Sequence, residues 1–388
     1  MSTSETTPTT GAMMMTSIPR IAATSPLLAF PFRVLLPVFP SPWSPLHAQL
    51  HQMLRARSLV PKHQSLLIAV SGGQDSLCLA RLLLDLQPKW NWRLGIAHCN
   101  HGWRSDAGAN AAYVQKLAQA WNLPYYSAAA TMEIRSEAAA REWRYQALSD
   151  IAQAQKFAYV ATGHTASDRA ETLLYNLLRG SGTDGLQALS WKRELSANLW
   201  LIRPLLDFTR QETAQFCQTV DLQVWEDSTN WDDRYKRNRI RNELFPYLQT
   251  HFNPQAESVL AQTAELLQAD VDCLEAMAQA LLKQAIGGKE DIETRIGEDS
   301  GKIPLDLNTY SVQINRVVLQ SVPLALQRRV MRQVLQSQLP QSPTFNHIEK
   351  LVSLITAPNR SRTDPFPGGS IAQVQNDWIV ISKNNLQA

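Results

Sequence analysis

Cysteine is scarce in this chain of 388 residues, and its four copies, Cys78, Cys99, Cys217 and Cys273, lie far apart. Without a CxxC pair there is no signature of a zinc ribbon or a cysteine-held iron–sulfur cluster, and a disulfide framework does not suit so long a chain. A reducing cytoplasm is the expected setting. Charge is also thin: Asp, Glu, Lys and Arg make up 18% of the residues and the formal net charge is only +3. Any nucleic-acid contact must therefore rest on a local patch rather than a global field. Clean apolar runs are missing as well. The stretch Pro26–Pro40 is broken by Pro31, Arg33 and Pro37, which argues against a membrane span, a secretory signal and hence a membrane partner. The first 48 residues carry only Glu5, Arg20 and Arg33 as charges, beside eight prolines and many Ser and Thr. Residues 1–48 read as a disordered extension or an over-long start ahead of Met13, Met14 and Met15. Their lack of acids also resembles a transit peptide, so an organellar destination stays open.

What is there begins after this leader. From Leu66 to about Cys217, short apolar runs alternate with amphipathic stretches, the pattern of a doubly wound, mostly parallel α/β sheet. Strands are expected at Leu66–Val70, Leu94–His98, Tyr159–Thr162 and Leu199–Arg203, with a weaker one near Tyr125–Ala128. Helices are expected at Leu77–Leu86, Ala107–Trp121, Ser136–Gln155 and Asp168–Leu178. Beyond them, Asn253-Pro254 opens a long helix with apolar residues at helical spacing from Val259 to Leu281. Residues Gly287–Lys302 read as a loop. A second unit then starts at Ile303, with helices Leu324–Leu335 and Phe345–Ile355 and a closing hairpin of Ile371–Val374 and Trp378–Ile381.

The most telling segment is Ser71-Gly72-Gly73-Gln74-Asp75-Ser76, between the first strand and the first helix. Two glycines let backbone N–H groups approach an anion, the serines add hydroxyl donors, and the next helix points its positive end at the same place. A Walker loop would supply a lysine to the terminal phosphates; this one has none, but Asp75 stands where magnesium could be held. Release of pyrophosphate suits such a loop better than transfer of the γ-phosphoryl group. Further polar clusters fall at strand ends, where ligands bind in such sheets. His98-Cys99-Asn100-His101 follows the second strand; its spacing suits hydrogen bonding around a nucleotide or an ordinary polar loop better than zinc. Gly163-His164 follows the strand at Tyr159, and Asp168 and Glu171 lie three apart on the next helix, placed to hold magnesium or an ammonium group or simply to complement the helix dipole. Arg141 and Arg144 share a helix face and suit phosphate, although solvated charge is the usual fate of such a pair. Arg234, Lys236, Arg237, Arg239 and Arg241, with Trp231 and Tyr235 among them, make a candidate RNA-backbone patch or a dispersed charged surface.

The SGGxDS loop is that of the PP-loop ATP pyrophosphatases, and the ordered set of segments resembles one family among them, the tRNA(Ile)-lysidine synthases. The matching stretches are Ser71–Ser76, His98–Arg104, Ala140–Tyr145, His164–Thr172, Arg179–Leu186, Arg203-Pro204-Leu205-Leu206, Glu226–Asn230, Arg237–Pro246, Gln327-Arg328-Arg329 and Pro367-Gly368-Gly369. The resemblance implies a Rossmann-like PP-loop domain over 49–248, a helical linker over 249–302 and a small α+β tRNA-binding domain over 303–388. It implies ATP and Mg2+ as cofactors, and L-lysine and tRNA(Ile) with a CAU anticodon as partners; a homodimer stays open. Lysine would be ligated to C2 of the wobble cytidine through an adenylated intermediate. Ser71, Gly72, Gly73, Gln74, Asp75, Ser76, His98, Gly163 and His164 would line the ATP site, with Asp75 on magnesium. Asp75, Asp168, Glu171 and Arg141 would be catalytic, and Arg234, Lys236, Arg237, Arg239, Arg241, Arg328 and Arg329 would meet tRNA. One departure stands out: relatives often show a double Asp where this chain has Ser167-Asp168. Two other readings remain, a tRNA thiolase with the same loop and a nucleotide-responsive RNA-binding protein without catalysis.

Overall fold

The computed structural model describes residues 43–100, 102, 106–131, 136–225, 236–286 and 312–383. The chain divides into two compact units, Met1–Ala264 and Glu265–Ala388. In the first, α1 (Pro45–Ala56) precedes the alternation β1 (Ser65–Ala69), α2 (Gln74–Trp90), β2 (Arg93–Asn100), α3 (Ala107–Ala120), β3 (Tyr125–Ala129), α4 (Glu137–Ala154), β4 (Tyr159–Thr162) and α5 (Ala166–Leu178). After α6 (Thr183–Leu186) come β5 (Lys192–Ser196), β6 (Leu199–Ile202) and α7 (Arg210–Thr219), and then α8 (Lys236–Arg239), a π-helical turn at Ile240–Leu244, and α9 (Phe245–His251).

The sheet runs β3-β2-β1-β4-β6-β5. Neighbours are parallel except at the β6–β5 edge. Leu66, Leu67 and Ile68 in β1 are fully buried because helices cover both faces, so that strand reads as an unbroken apolar run. Strand order reverses between β1 and β4, and the crevice at their carboxyl ends is where such sheets bind ligands. The expected strands and helices of this unit are all present. The edge strand β5 was not expected: it is short, polar and joined to β6 through Asn198, whose φ of 59° closes a tight reversal.

Helix starts decide what the crevice offers. Ser44, Ser136, Thr165 and Thr209 each cap their own helix by accepting a backbone N–H, using up donors at the N-termini of α1, α4, α5 and α7. The N-cap of α2 is Gly73, which has no side chain to do so. The first amides of α2 therefore stay available to an anion.

The long helix α10 (Ala256–Ala285) contains the unit boundary, and the Asn253 side chain accepts the Gln255 N–H just before it. In the second unit, β7 (Val312–Asn315), α11 (Arg316–Gln320), α12 (Leu324–Gln338) and α13 (Phe345–Ser353) precede the hairpin of β8 (Ser370–Gln375) and β9 (Trp378–Lys383). The sheet order β7-β9-β8 adds a third strand to the expected hairpin. Ile314, Val330, Met331, Leu335, Leu351, Val374 and Ile379 form a core of its own. The expected leader at 1–48 up to Ser41-Pro42, the loop at Gly287–Lys302 and the segment Glu226–Tyr235 lie outside the described residues.

Candidate active site

The loop after β1 is tied into a rigid cradle. Ser71 N–H donates to Ser76 Oγ at 3.1 Å, Ser76 Oγ donates to the Gly73 carbonyl at 2.9 Å, and Gly73 N–H donates to Ser71 Oγ at 3.3 Å. Gly72 has φ of +93°, and a Cβ there would stand 2.3 Å from Asn110 Oδ1. Asn110 in turn donates to the Ser71 carbonyl at 2.8 Å, and Trp225 N–H donates to the Gly72 carbonyl at 3.0 Å. The carboxyl end of β4 comes just as close from the other side: a Cβ on Gly163 would sit 2.9 Å from the backbone of Asp75 and Ser76, so only glycine lets β4 approach the first turn of α2.

Over these two strand ends lies a cavity of about 640 Å³, lined among others by Ser71, Gly73, Gln74, Asp75, Ser76, His98, Gly163, His164, Asp168, Arg210 and Arg241. His98 is buried and its Nδ1 lies 2.8 Å from the Val70 carbonyl, an acceptor only, so Nδ1 carries the proton. His164 Nδ1 lies 2.9 Å from Thr162 Oγ1. Burial, and then the Arg203 charge, push its pKa well down, leaving a neutral imidazole at pH 7.

Two carboxylates, Asp75 and Asp168, and two guanidiniums form the polar floor, and a third carboxylate, Glu171, braces Arg241 without lining the cavity. Asp75 accepts the Thr213 hydroxyl on Oδ1 and faces Arg210 Nε at 3.3 Å with Oδ2. Asp168 uses Oδ2 to complete the capping box of α5, accepting Thr165 N–H at 2.9 Å, and turns Oδ1 to Arg210 Nη2 at 3.2 Å and Arg241 Nη2 at 3.7 Å. Glu171, only 3% exposed, takes both Nε and Nη2 of Arg241, at 2.6 and 2.8 Å. Burial raises the Asp75 carboxyl against the pull of Arg210. Burial also raises Glu171, opposed by its bonds to Arg241. At Asp168 burial acts in the same sense but is outweighed, first by Arg210, and the carboxyl is held down to about 2.

The PP-loop domain family matches residues 44–248, and the TilS substrate binding domain family matches residues 315–384. The tRNA(Ile)-lysidine synthase of Nostoc sp. (strain PCC 7120) is 61% identical over 341 residues, which cover 87% of this chain and 97% of that one. The chain belongs to the tRNA(Ile)-lysidine synthase family. The Synechocystis sp. (strain PCC 6803) tRNA(Ile)-lysidine synthase is 50% identical, over 87% of this chain and 97% of its own. A chloroplastic tRNA(Ile)-lysidine synthase from Zygnema circumcarinatum is 34% identical, over 87% and 90%. Membership makes this chain an ATP-using ligase that modifies tRNA. Among solved structures, a U34-tRNA thiolase from Methanococcus maripaludis is 17% identical with a TM-score of 0.46, covering 57% of this chain and 78% of that one, too slight a likeness to bear on activity.

In this synthase the expected ATP-site residues converge, except that Gly72 shapes the turn without lining the cavity. Arg141 does not line it either: its guanidinium lies 5.0 Å from the Tyr145 ring centre, whereas Arg144, one turn on, reaches the cavity wall. Arg241, grouped by sequence with the RNA patch, is instead held in the cleft by Glu171. Of the rest of that patch, Arg237 lies 3.7 Å from Glu137 and Arg239 pairs with Glu243 at 3.1 Å, Lys236 is exposed, and Arg234 lies outside the described residues. In the second unit Arg328 pairs with Glu349 at 2.7 Å, and Arg329 is buried against Glu275 at 3.0 Å, so that guanidinium supports the core rather than the surface.

Sequence reasoning missed Arg210, Thr213 and Asn110. One signal for Arg210 was present: Thr209 and Glu212 spell a capping box, and an arginine at the first position of the helix opposes the helix dipole, which calls for a compensating carboxylate. Magnesium fits the donors found here. Asp75 Oδ2 and Asp168 Oδ1 already share a cation, and hard oxygens from one or two carboxylates plus phosphates are its usual ligands. Among the described residues no group of three or more His, Cys, Asp or Glu forms a dedicated cage.

Proposed function

We propose that this synthase joins L-lysine to C2 of the wobble cytidine in tRNA(Ile) with a CAU anticodon, in two steps at this one cavity. The observation that carries the reading is the juxtaposition, at the β1 and β4 ends, of an uncapped helix N-terminus and a carboxylate pair. The first is suited to phosphate, the second to an ammonium group.

In the first step cytidine O2 attacks the α-phosphorus of ATP, forming the O–P bond as the bond to pyrophosphate breaks. The amides of α2 and the hydroxyls of Ser71 and Ser76 receive the charge that builds on the phosphates. Bound magnesium, held by Asp75 and Asp168, would supply further charge neutralisation there. Oxygen O2, a poor leaving group as oxide, now departs as AMP. In the second step the lysine ε-amine, having lost a proton, attacks C2. Asp168 orients that amine, and Glu171, which does not line the cavity, holds Arg241 beside it. Asp168, held charged, suits an anchor for the ammonium form rather than a proton acceptor. A single-stranded base must be splayed out to enter, as is usual in RNA recognition, and the unit beyond Ala264 is assigned to hold the rest of the tRNA. The reaction is assigned to the cytoplasm, with an organelle as the alternative that the chloroplastic relative supports. No helix among the described residues is long and apolar enough to cross a membrane.

The thiolase reading draws no support from the cavity. Cys99 lines it, but burial pushes that thiol up to about 12, far from the thiolate such chemistry needs. Incubation with ATP, labelled lysine and a CAU-bearing tRNA(Ile) tests the proposal. Label in the tRNA, dependent on ATP, is expected; its absence, or sulfur transfer in its place, would overturn the reading.

A further inference from the structure

Arg210 holds a place that a mobile surface arginine would not. Its backbone N–H donates to Ser167 Oγ on α5 at 3.0 Å, and its carbonyl accepts from Gln74 Nε2 on α2 at 2.9 Å. The main chain of the first residue of α7 is thus fixed between the two helices that carry Asp75 and Asp168. Its guanidinium then spans the two carboxylates, Nε to Asp75 Oδ2 at 3.3 Å and Nη2 to Asp168 Oδ1 at 3.2 Å. Those are the two oxygens best placed to meet a divalent ion. Ser167, 2% exposed, makes this fixing possible, since a hydroxyl can accept the helix N–H without adding a third charge beside the pair.

We propose that Arg210 is a resident cation that occupies the place of a divalent ion between Asp75 and Asp168 until nucleotide arrives, so that the cleft does not take up metal by itself. The inference rests on the reading of this cavity as an ATP site. Two carboxylates this close repel each other unless a positive charge lies between them, and one guanidinium supplies it. An approaching divalent ion meets that positive charge and must displace it. ATP changes the balance, because its phosphates offer a guanidinium planar, two-point partners and bring ligand oxygens for the ion. Asp75 is then released to the metal. Arg210 thus acts on the two carboxylates before nucleotide arrives and on the phosphates afterwards.

The test uses Mn2+ as the probe, read by its electron paramagnetic resonance signal in the full-length protein without tRNA or lysine. Wild-type protein is expected to bind Mn2+ weakly alone and much more tightly with α,β-methylene ATP. Arg210→Met should tighten nucleotide-free Mn2+ binding about tenfold or more. Arg210→Lys, which keeps the charge, should stay near wild type, and Asp75→Asn in the Arg210→Met background should remove the gain. A folded Arg210→Met protein with unchanged Mn2+ affinity overturns the proposal. So does wild-type protein that binds Mn2+ equally well with and without the nucleotide, a measurement that needs no variant. Because lysine transfer is not read, failure here leaves the ligase reading standing, and failure of lysine incorporation leaves this result standing.

Discussion

At the scale of single residues, the site is a set of charges balanced by partners from distant parts of the chain. Asp75 is the residue whose loss should matter most to the chemistry. Asp75→Ala is expected to lower pyrophosphate release from ATP and tRNA by about 10²–10³-fold, the cost typical of removing one electrostatic contact at a transition state; turnover within a few fold of wild type would rule out the proposed role of Asp75 as a metal ligand. Glu171 plays a different part. It is buried and takes both arms of Arg241, whose side chain is 22% exposed. Glu171→Ala leaves that guanidinium partly buried and uncompensated, so a loss of about 2 kcal/mol is expected in denaturant unfolding, less than for a wholly buried pair. Asp168 gives a pH signature. Its folded pKa, about 2, lies below the ordinary 3.8, so the stability it contributes is present above about pH 4 and is lost as pH falls toward 2. Asp168→Asn should flatten that limb of a plot of stability against pH; an unchanged limb would mean the ion pairs with Arg210 and Arg241 are not formed in solution.

At the scale of elements, two strand ends and one uncapped helix make the site. Gly163→Ala forces a methyl into the backbone of Asp75 and Ser76 at 2.9 Å. It should cost about 1–3 kcal/mol of stability and weaken ATP binding by loosening the cradle; a neutral substitution in both assays would contradict the close packing of β4 on α2. Strand β1, the SGGxDS turn and α2 were legible because apolar run, glycines and hydroxyls follow one another without interruption. The β4 end and α5 were legible for the same reason. Strand β5 was not, because Lys192–Ser196 has neither alternation nor an apolar run and is fixed only by pairing with β6. The links from Arg210 to Asp75 and from Arg241 to Glu171 join positions far apart in the chain, and local spacing carries no trace of them. Without those links Arg241 looked like one more cation in a basic stretch.

At the scale of the whole molecule, a weak net charge has to serve a polyanionic substrate. With +3 overall, and with Arg237, Arg239 and Arg328 facing carboxylates, tRNA binding must depend on a few local contacts. Lys236→Ala should therefore lower the slope of log affinity against log salt by about 1 if that exposed lysine meets a phosphate, and should leave it unchanged if it does not. The two units have separate hydrophobic cores, one under the PP-loop and one around the β7-β9-β8 sheet, which suits a division between chemistry and RNA capture. The proposed reaction runs as activation and then ligation at one cavity. It is tested most directly by following pyrophosphate and AMP separately when the protein is mixed with ATP and CAU-bearing tRNA(Ile) in the absence of lysine, with lysine added later. About one pyrophosphate per active site, an AMP-bearing tRNA, and free AMP only after lysine is added are the expected results. Pyrophosphate that appears only once lysine is present would contradict this order.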